Sequence, residues 1–340
     1  MDIEKQIQLI DDKNHYLLKA HLEKLSYFDS FKHSINDLST KLTEQQLKDL
    51  LTNKLQVKQG IFAEKTYIQF ACETTVNSYF SKNYEETFQY EPQINPKSNK
   101  NVDCQIKDFD YIYNVEVKCS SFEGKENIDE KNAFTFEIYG RDKDYDKTKD
   151  AMKELSDLMA RYQEIKGKIP KSISEEKKMD NNLRDFLILS NKKFNPIPNE
   201  NEVNILVVCC DDANDMKNWH SYMFAPQGLF TENSFGNPNE YNLVDLVVLS
   251  NIYYRHSKYF DKSHLKNNWD FSCAFNLAFK NPFRRKNKEK SIDHFLNIFY
   301  HYTDDFEKYI KSLNNDPESI ILCIPEFVRI FSNEKGKIIF

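Results

Sequence analysis

This 340-residue chain is short of the features that mark several common protein classes. Only seven glycines occur, and none belongs to a G-x-x-x-x-G-K-[ST] loop, so the usual backbone cradle for nucleotide phosphates is missing. The seven cysteines include no C-x-x-C pair. An odd number scattered over presumed core strands suits free thiols in a reducing compartment better than a disulfide framework. No apolar run approaches the ~18 residues that a membrane-spanning helix needs. The opening segment MDIEKQIQLIDDKNHY is too charged for a signal-peptide core. These absences lead to the expectation of a cytoplasmic protein with no membrane partner. His220, His256, His264, His294 and His301 are too dispersed to suggest zinc, and neither a G-x-S-x-G elbow nor a convincing nucleophilic cysteine is present.

Charge and aromatic residues are abundant instead. Hydrophobic residues make up 40% of the chain and aromatic residues 14%, enough to bury a sizeable core and too many for a disordered chain. The net charge of −6 argues against a nonspecific nucleic-acid coat and directs attention to local clusters. The clearest is KNPFRRKNKEK, with Lys280, Arg284, Arg285, Lys286 and Lys288, followed by Lys290 and interleaved with Phe279 and Phe283. It reads as a DNA-backbone contact or, equally, as a solvated loop.

The strongest functional statement lies in NVDCQIKDFDYIYNVEVKCS, residues 101–120. Residues 102–107 and 112–119 alternate apolar and polar side chains, as half-buried strands do, around the turn-forming Asp108, Phe109 and Asp110. A loop over 108–111 pairs Lys107 with Ile112 and therefore sets Asp103 opposite Glu116. Opposed residues of an antiparallel pair share a face, with Cβ atoms about 4.5–5.5 Å apart. Glu116 and Lys118 share that face by strand periodicity, while Val117 points to the core. Two carboxylates, the Val117 backbone carbonyl and a nearby ammonium suit Mg²⁺, with Mn²⁺ as a substitute. Lys118 would deprotonate or position an attacking water. A one-residue slip would send Glu116 to the other face.

Asp103 followed by Glu116-Val117-Lys118 resembles the restriction-endonuclease-like superfamily, the PD-(D/E)xK nucleases, although Val102 stands where the family's proline is customary. The resemblance covers residues 56–210 and implies a mixed α/β (α+β) core ordered helix, three strands, helix, strand. Residues 61–81 read as the first helix, 84–94 as the first strand, 146–165 as the second helix and 203–209 as the last strand. The family often places a further acid on the first helix. Glu64, on the flank of the face defined by Ile61, Lys65, Ile68, Cys72, Val76 and Tyr79, is the expected metal ligand there, and Glu73 falls well away from that face. The resemblance further implies a Mg²⁺-dependent DNA endonuclease of the restriction or phage-defence type. Double-stranded DNA would be the substrate, a homodimer the working form, and a methyltransferase or defence-system protein a further partner. An inactive DNA-binding or assembly subunit with the same fold and an RNA endonuclease are the alternatives.

Around this core, residues 1–55 read as N-terminal helices, with Thr43 a cap ahead of Gln46. Residues 167–200 read as a charged insertion around a short apolar patch at 186–189, a mobile arm or partner-binding excursion. Residues 211–340 read as a C-terminal α/β extension for DNA recognition or dimerisation. It has a helix starting at Asp211 or Asp212, which would cap it, and strands at 243–250 and 319–324.

Overall fold

In the computed structural model the described residues are 3–119, 134–136, 145–166, 173–175, 179–261, 265–313, 317–335 and 339–340. Helices α1 (Ile3–Ile7), α2 (Tyr16–Leu22), α3 (Ser26–Ser39) and α4 (Glu44–Asp49) form the expected helical front piece. Thr43 and Gln46 close a reciprocal capping box at the start of α4, which satisfies two backbone donors that would otherwise lack partners. α5 (Glu64–Asn83) is buried on most of its circumference, with Tyr67, Ile68, Ala71, Thr74, Val76 and Phe80 all inside. Ile61, expected within this helix, precedes it and is 95% exposed.

The chain then builds β1 (Gln89–Tyr90), β2 (Cys104–Asp108) and β3 (Tyr111–Cys119). The first strand is much shorter than the 84–94 expected from sequence, because Glu91 takes a left-handed backbone with φ of 47° that ends the extended run. Beyond β3 lie β4 (Phe134–Phe136), α6 (Tyr145–Ile165), β5 (Ile173–Glu175) and α7 (Met179–Asn191). β4 and β5 pair with each other in a separate two-stranded sheet. The expected insertion at 167–200 thus includes a core helix: Leu183 and Leu187 of α7 are fully buried. Residues 167–172 and 176–178 of that insertion lie outside the described residues.

β6 (Glu202–Cys209) is buried along its whole length. It is followed by α8 (Ala213–Phe224), which Asp212 caps by accepting from the Asp215 N–H. β7 (Leu246–Ser250), α9 (Ile252–Ser257), β8 (Asn276–Lys280), α10 (Glu289–Ile298), α11 (Thr303–Ser312) and α12 (Pro317–Lys335) complete the order. The strand expected at 319–324 is part of α12. Its buried residues, Cys323, Ile324, Phe327, Val328 and Phe331, recur at three and four residues, which is the helical period.

Among the described residues the main sheet has six strands ordered β1-β2-β3-β6-β7-β8. β1, β2 and β3 are antiparallel, β6 and β7 run parallel to β3, and β8 returns antiparallel. The C-terminal extension therefore adds strands to the same sheet. One face, with Tyr113, Val115, Val117, Ile205 and Val207, packs on α3, α5 and α10. The other, with Leu206, Val208, Val247 and Leu249, packs on α7, α8 and α12. Among the described residues no helix is long and apolar enough to cross a membrane.

Candidate functional site

The hairpin has the register its sequence predicts. Lys107 pairs with Ile112 and Cys104 with Val115, so the ladder continued by one step sets Asp103 opposite Glu116. The turn is tighter than a four-residue loop, since Asp108 also pairs with Tyr111 and leaves only Phe109 and Asp110 at the tip. Asp103 stands just before β2, and its side chain turns into the sheet plane: Oδ2 accepts the Val117 backbone N–H at 2.6 Å. In a strand the N–H and C=O of one residue face the same edge. The Val117 carbonyl therefore faces the edge that β2 leaves open, beside Asp103.

Glu116 lies in register with Leu206 and Lys118 with Val208, so both point to the face covered by α7 and α8. Glu116 is fully buried. Lys118 Nζ lies 2.5 Å from its Oε1. A second ammonium, from Lys193, sits 2.6 Å from Oε1 and 2.7 Å from Oε2. Lys193 follows α7, which seats Leu183 and Leu187 in the core and so fixes where its C-terminal end delivers the lysine. Sequence inspection offers no signal for Lys193, because nothing local distinguishes it from other lysines of a charged segment.

Glu73 of α5, not Glu64, joins this cluster. Its carboxylate pairs with Lys54 at 2.6 Å, and Lys54 also reaches Glu91 and the Tyr90 hydroxyl. The Glu91 N–H in turn donates to the Asp103 carbonyl at 3.1 Å. Glu64 is exposed at the start of α5, accepts from the Tyr16 hydroxyl, and lines a different cleft with Tyr253 and Phe260. Nine residues separate the two acids, about 180° around an α-helix, so only one can face the hairpin. The structure sets Glu64 apart from the hairpin; because α5 is buried on most of its circumference, an apolar wheel does not tell which buried side meets the sheet end.

The electrostatics are those of carboxylates crowded in a poorly solvated place. Burial pushes the Asp103 carboxyl well above the ordinary range, and the charges on Glu116 and Glu73 push the same way against Lys193. Burial also raises Glu73, opposed by Lys54. For Lys118, burial opposes the charge, but the Glu116 carboxylate outweighs it and the ammonium is held above its ordinary value. Lys118 is therefore a cation and a donor in this arrangement, not a free base.

These donors fit a hard divalent cation. Oε1 of Glu116 is buried and lies within 2.6 Å of both the Lys118 and Lys193 ammoniums, so a cation bound there would have to share or displace those contacts. Asp103, Glu116 and the Val117 carbonyl would supply oxygens to Mg²⁺, with Glu73 as a further acid nearby. Burial is the main cause of both raised values, and the smaller contribution from repulsion among the acids is the kind a divalent cation relieves.

The basic segment at 280–290 is placed differently from its expected role. Lys280 pairs with Glu289 at 2.6 Å and Asp293 at 2.8 Å, and Arg284 also pairs with Glu289. Lys288 is buried, with Nζ 2.6 Å from Asp245. Three of the five candidate DNA-contacting cations thus have carboxylate partners, and Lys288 cannot reach a phosphate without unfolding its surroundings. Arg285 donates to the Pro196 carbonyl at 2.7 Å while staying exposed, and Lys286 is exposed. The acids at positions 289 and 293 were the signal that the segment neutralises itself.

Sequence reasoning also missed a second cluster. Cys72 of α5, Cys119 of β3 and Cys209 of β6 bring their sulfur atoms within 4.8 Å of one another. Cys119 and Cys209 are register partners on neighbouring parallel strands. No linear motif reveals them, since they are 47 and 90 residues apart in sequence. Comparison of the chain with protein-family models, with curated proteins and with solved structures finds no match, so the functional reading rests on this geometry.

Proposed function

We propose that this chain is a Mg²⁺-dependent phosphodiesterase of the restriction-endonuclease-like type, with DNA as the expected substrate. The observation that carries the reading is the hairpin register, which sets Asp103 opposite Glu116, with Lys118 two residues along the same strand. The order of elements supports it. A helix precedes a three-stranded antiparallel meander, and helices α6 and α7 lead to β6, which lies beside β3 and parallel to it. The resemblance implies a single helix between the third strand and the last, where this chain has β4, α6, β5 and α7.

In this reading Asp103, Glu116 and the Val117 carbonyl hold the cation, and Glu73 replaces Glu64 as the acid from the first helix. The bound cation supplies neutralisation of phosphate charge and lowers the pKa of a coordinated water. Lys118 donates hydrogen bonds that orient the attacking water or a phosphate oxygen, since its neighbour Glu116 keeps it protonated. Lys193 balances the negative charge of Glu116 from the helix side. Burial of Glu116 limits competition from bulk water for these contacts.

A catalytically silent binding module is the second reading. The observation favouring it is that two ammoniums already neutralise Glu116. Incubating the purified chain with supercoiled plasmid, single-stranded DNA and RNA, with Mg²⁺ or Mn²⁺, tests both readings. The endonuclease reading expects cation-dependent cleavage of DNA that Asp103→Ala, Glu116→Ala and Lys118→Ala each abolish. Cleavage confined to RNA would change the substrate and keep the site. Saturable Mg²⁺ binding with no cleavage of any substrate would favour the silent module.

A further inference from the structure

The proposed oxygen site leaves the three-thiol cluster without a role, and the two differ in chemistry. Among the described residues no carboxylate or imidazole belongs to the group formed by Cys72, Cys119 and Cys209. Soft sulfur donors without oxygen partners discriminate against Mg²⁺ and favour thiophilic ions. We propose that Cys72, Cys119 and Cys209 form a separate structural site for a thiophilic d¹⁰ cation, Zn²⁺ or Cu⁺, in the core between α5, β3 and β6.

Spacing supports this. With metal–sulfur bonds of about 2.3 Å, tetrahedral geometry sets sulfurs about 3.8 Å apart. The observed separations, all within 4.8 Å, need a contraction of at most about 1 Å. The donors also come preorganised. Two sit on paired strands of the main sheet and the third on the helix packed against them, so closing the site requires no rearrangement of the backbone. Cys72 and Cys209 are buried and Cys119 is half-buried, so Cys119 is the thiol a reagent or an ion reaches first.

The site has a consequence for its neighbour. Cys72 directly precedes Glu73, and Cys119 directly follows Lys118. An ion held by the three sulfurs therefore ties the helix that carries Glu73 to the strand that carries Glu116 and Lys118. It would stiffen the acidic cluster by fixing α5 against β3.

The test uses the full chain with Cys273→Ser, which removes the exposed thiol, kept reduced and free of oxygen. The protein is dialysed against Zn²⁺ in one arm and Cu⁺ in the other, and bound metal is counted by elemental analysis. The expected result is one equivalent per chain of at least one ion, a raised melting temperature, and thiolate-to-metal charge-transfer absorption when Co²⁺ replaces Zn²⁺. Cys72→Ala, Cys119→Ala and Cys209→Ala should each lower affinity by at least about tenfold, the smaller end of the cost of losing even an outer-shell partner. Cys104→Ser, outside the cluster, should not. Should the alanine variants fail to fold, alkylation of Cys119 in the parent protein decides: bound ion should protect it. Lack of saturable binding of either ion, unchanged binding in the folded alanine variants, or unprotected Cys119 would overturn the proposal. So would a Cys119–Cys209 disulfide as the form isolated without oxidant. None of these readouts depends on cleavage, so the thiol site and the nuclease reading fail separately.

Discussion

Lys193 places its ammonium 2.7 Å from Oε2 of Glu116, so the segment after α7 supplies half of the positive charge around the central acid of the candidate site. The other half comes from Lys118, two residues along the same strand as Glu116. The two lysines reach one carboxylate from different elements, and this asymmetry separates their expected roles.

Lys118 stands on the strand, next to where the phosphate would lie, and Lys118→Ala is expected to lower cleavage by about 10²–10³-fold, the usual worth of one preorganised donor at developing charge. Lys193→Ala is expected to cost about tenfold, equivalent to about 1.4 kcal/mol of lost charge balance. Single-turnover rates at saturating Mg²⁺ measure both. Equal losses would place Lys193 in contact with the reacting groups as well. Glu116→Gln leaves two ammoniums facing a neutral amide. Partial exposure of both lysines brings the expected destabilisation down to about 1–3 kcal/mol, from the larger cost of breaking a fully buried pair.

Glu73→Ala and Glu64→Ala discriminate between the two helix acids. Mg²⁺ affinity, read by isothermal titration on the folded protein, is expected to fall about tenfold or more for Glu73→Ala, equivalent to at least ~1.4 kcal/mol. For Glu64→Ala it should stay unchanged. Glu64→Ala loses its hydrogen bond from Tyr16, with an expected stability cost of about 1 kcal/mol. The reverse pattern would restore Glu64 to the site and remove Glu73.

Three buried histidines make the fold sensitive to acid. Burial lowers His15 and His220 to about 4 and His256 to about 3, so all three fold as neutral rings. Unfolded, each titrates near ~6.5. Their stabilising contribution is complete above that value and is lost as pH falls toward the folded values. Each removes about 1.4 kcal/mol per pH unit below ~6.5. The His256 ring is bonded to Tyr27 at Nδ1 and to Thr75 at Nε2, which makes it the most informative one to replace. Urea unfolding at pH 7, 6 and 5 should show a steep loss in the parent protein. In His256→Asn the slope should be shallower by about 1.4 kcal/mol per pH unit. Parallel slopes would mean that His256 is protonated in the folded state.

Lys288 and Lys286 lie two residues apart and should behave oppositely. Lys288→Met strips the ammonium from the buried Asp245 and is expected to destabilise by about 3–5 kcal/mol. Lys286→Ala, at an exposed position, should change stability by no more than about 0.5 kcal/mol. If the exposed part of this segment contacts duplex DNA, Lys286→Ala should reduce the slope of log affinity against log salt by about one. Unchanged slopes for Lys286→Ala and Arg285→Ala together would remove the segment from any DNA interface.

Local pattern made the hairpin legible. Alternation fixed that Glu116 and Lys118 share one face and Val117 the other, and turn chemistry at 108–110 fixed the register, because both depend only on neighbouring residues. The same holds for the Thr43 cap, for β6, and for the Asp212 cap of α8. It failed where burial is nearly complete. Residues 319–324 show a short apolar run whose period cannot be read over six positions, and only the buried residues continuing to Phe331 reveal a helix. The helix at α5 was legible but its rotation was not, since a helix buried on most of its circumference has only a narrow solvent face to orient it.

The amino-acid order alone thus determined a pair of acids and a lysine on one strand pair, because β periodicity and turn length are local properties. Tertiary structure decided which helix acid joins them, that Lys193 arrives from beyond α7, that three of the five basic candidates spend their charge on carboxylates, Lys288 on the distant Asp245, and that three distant cysteines meet. Each of these depends on the rotation and placement of one element against another. Packing of the whole chain sets such quantities, and no run of neighbouring residues encodes them.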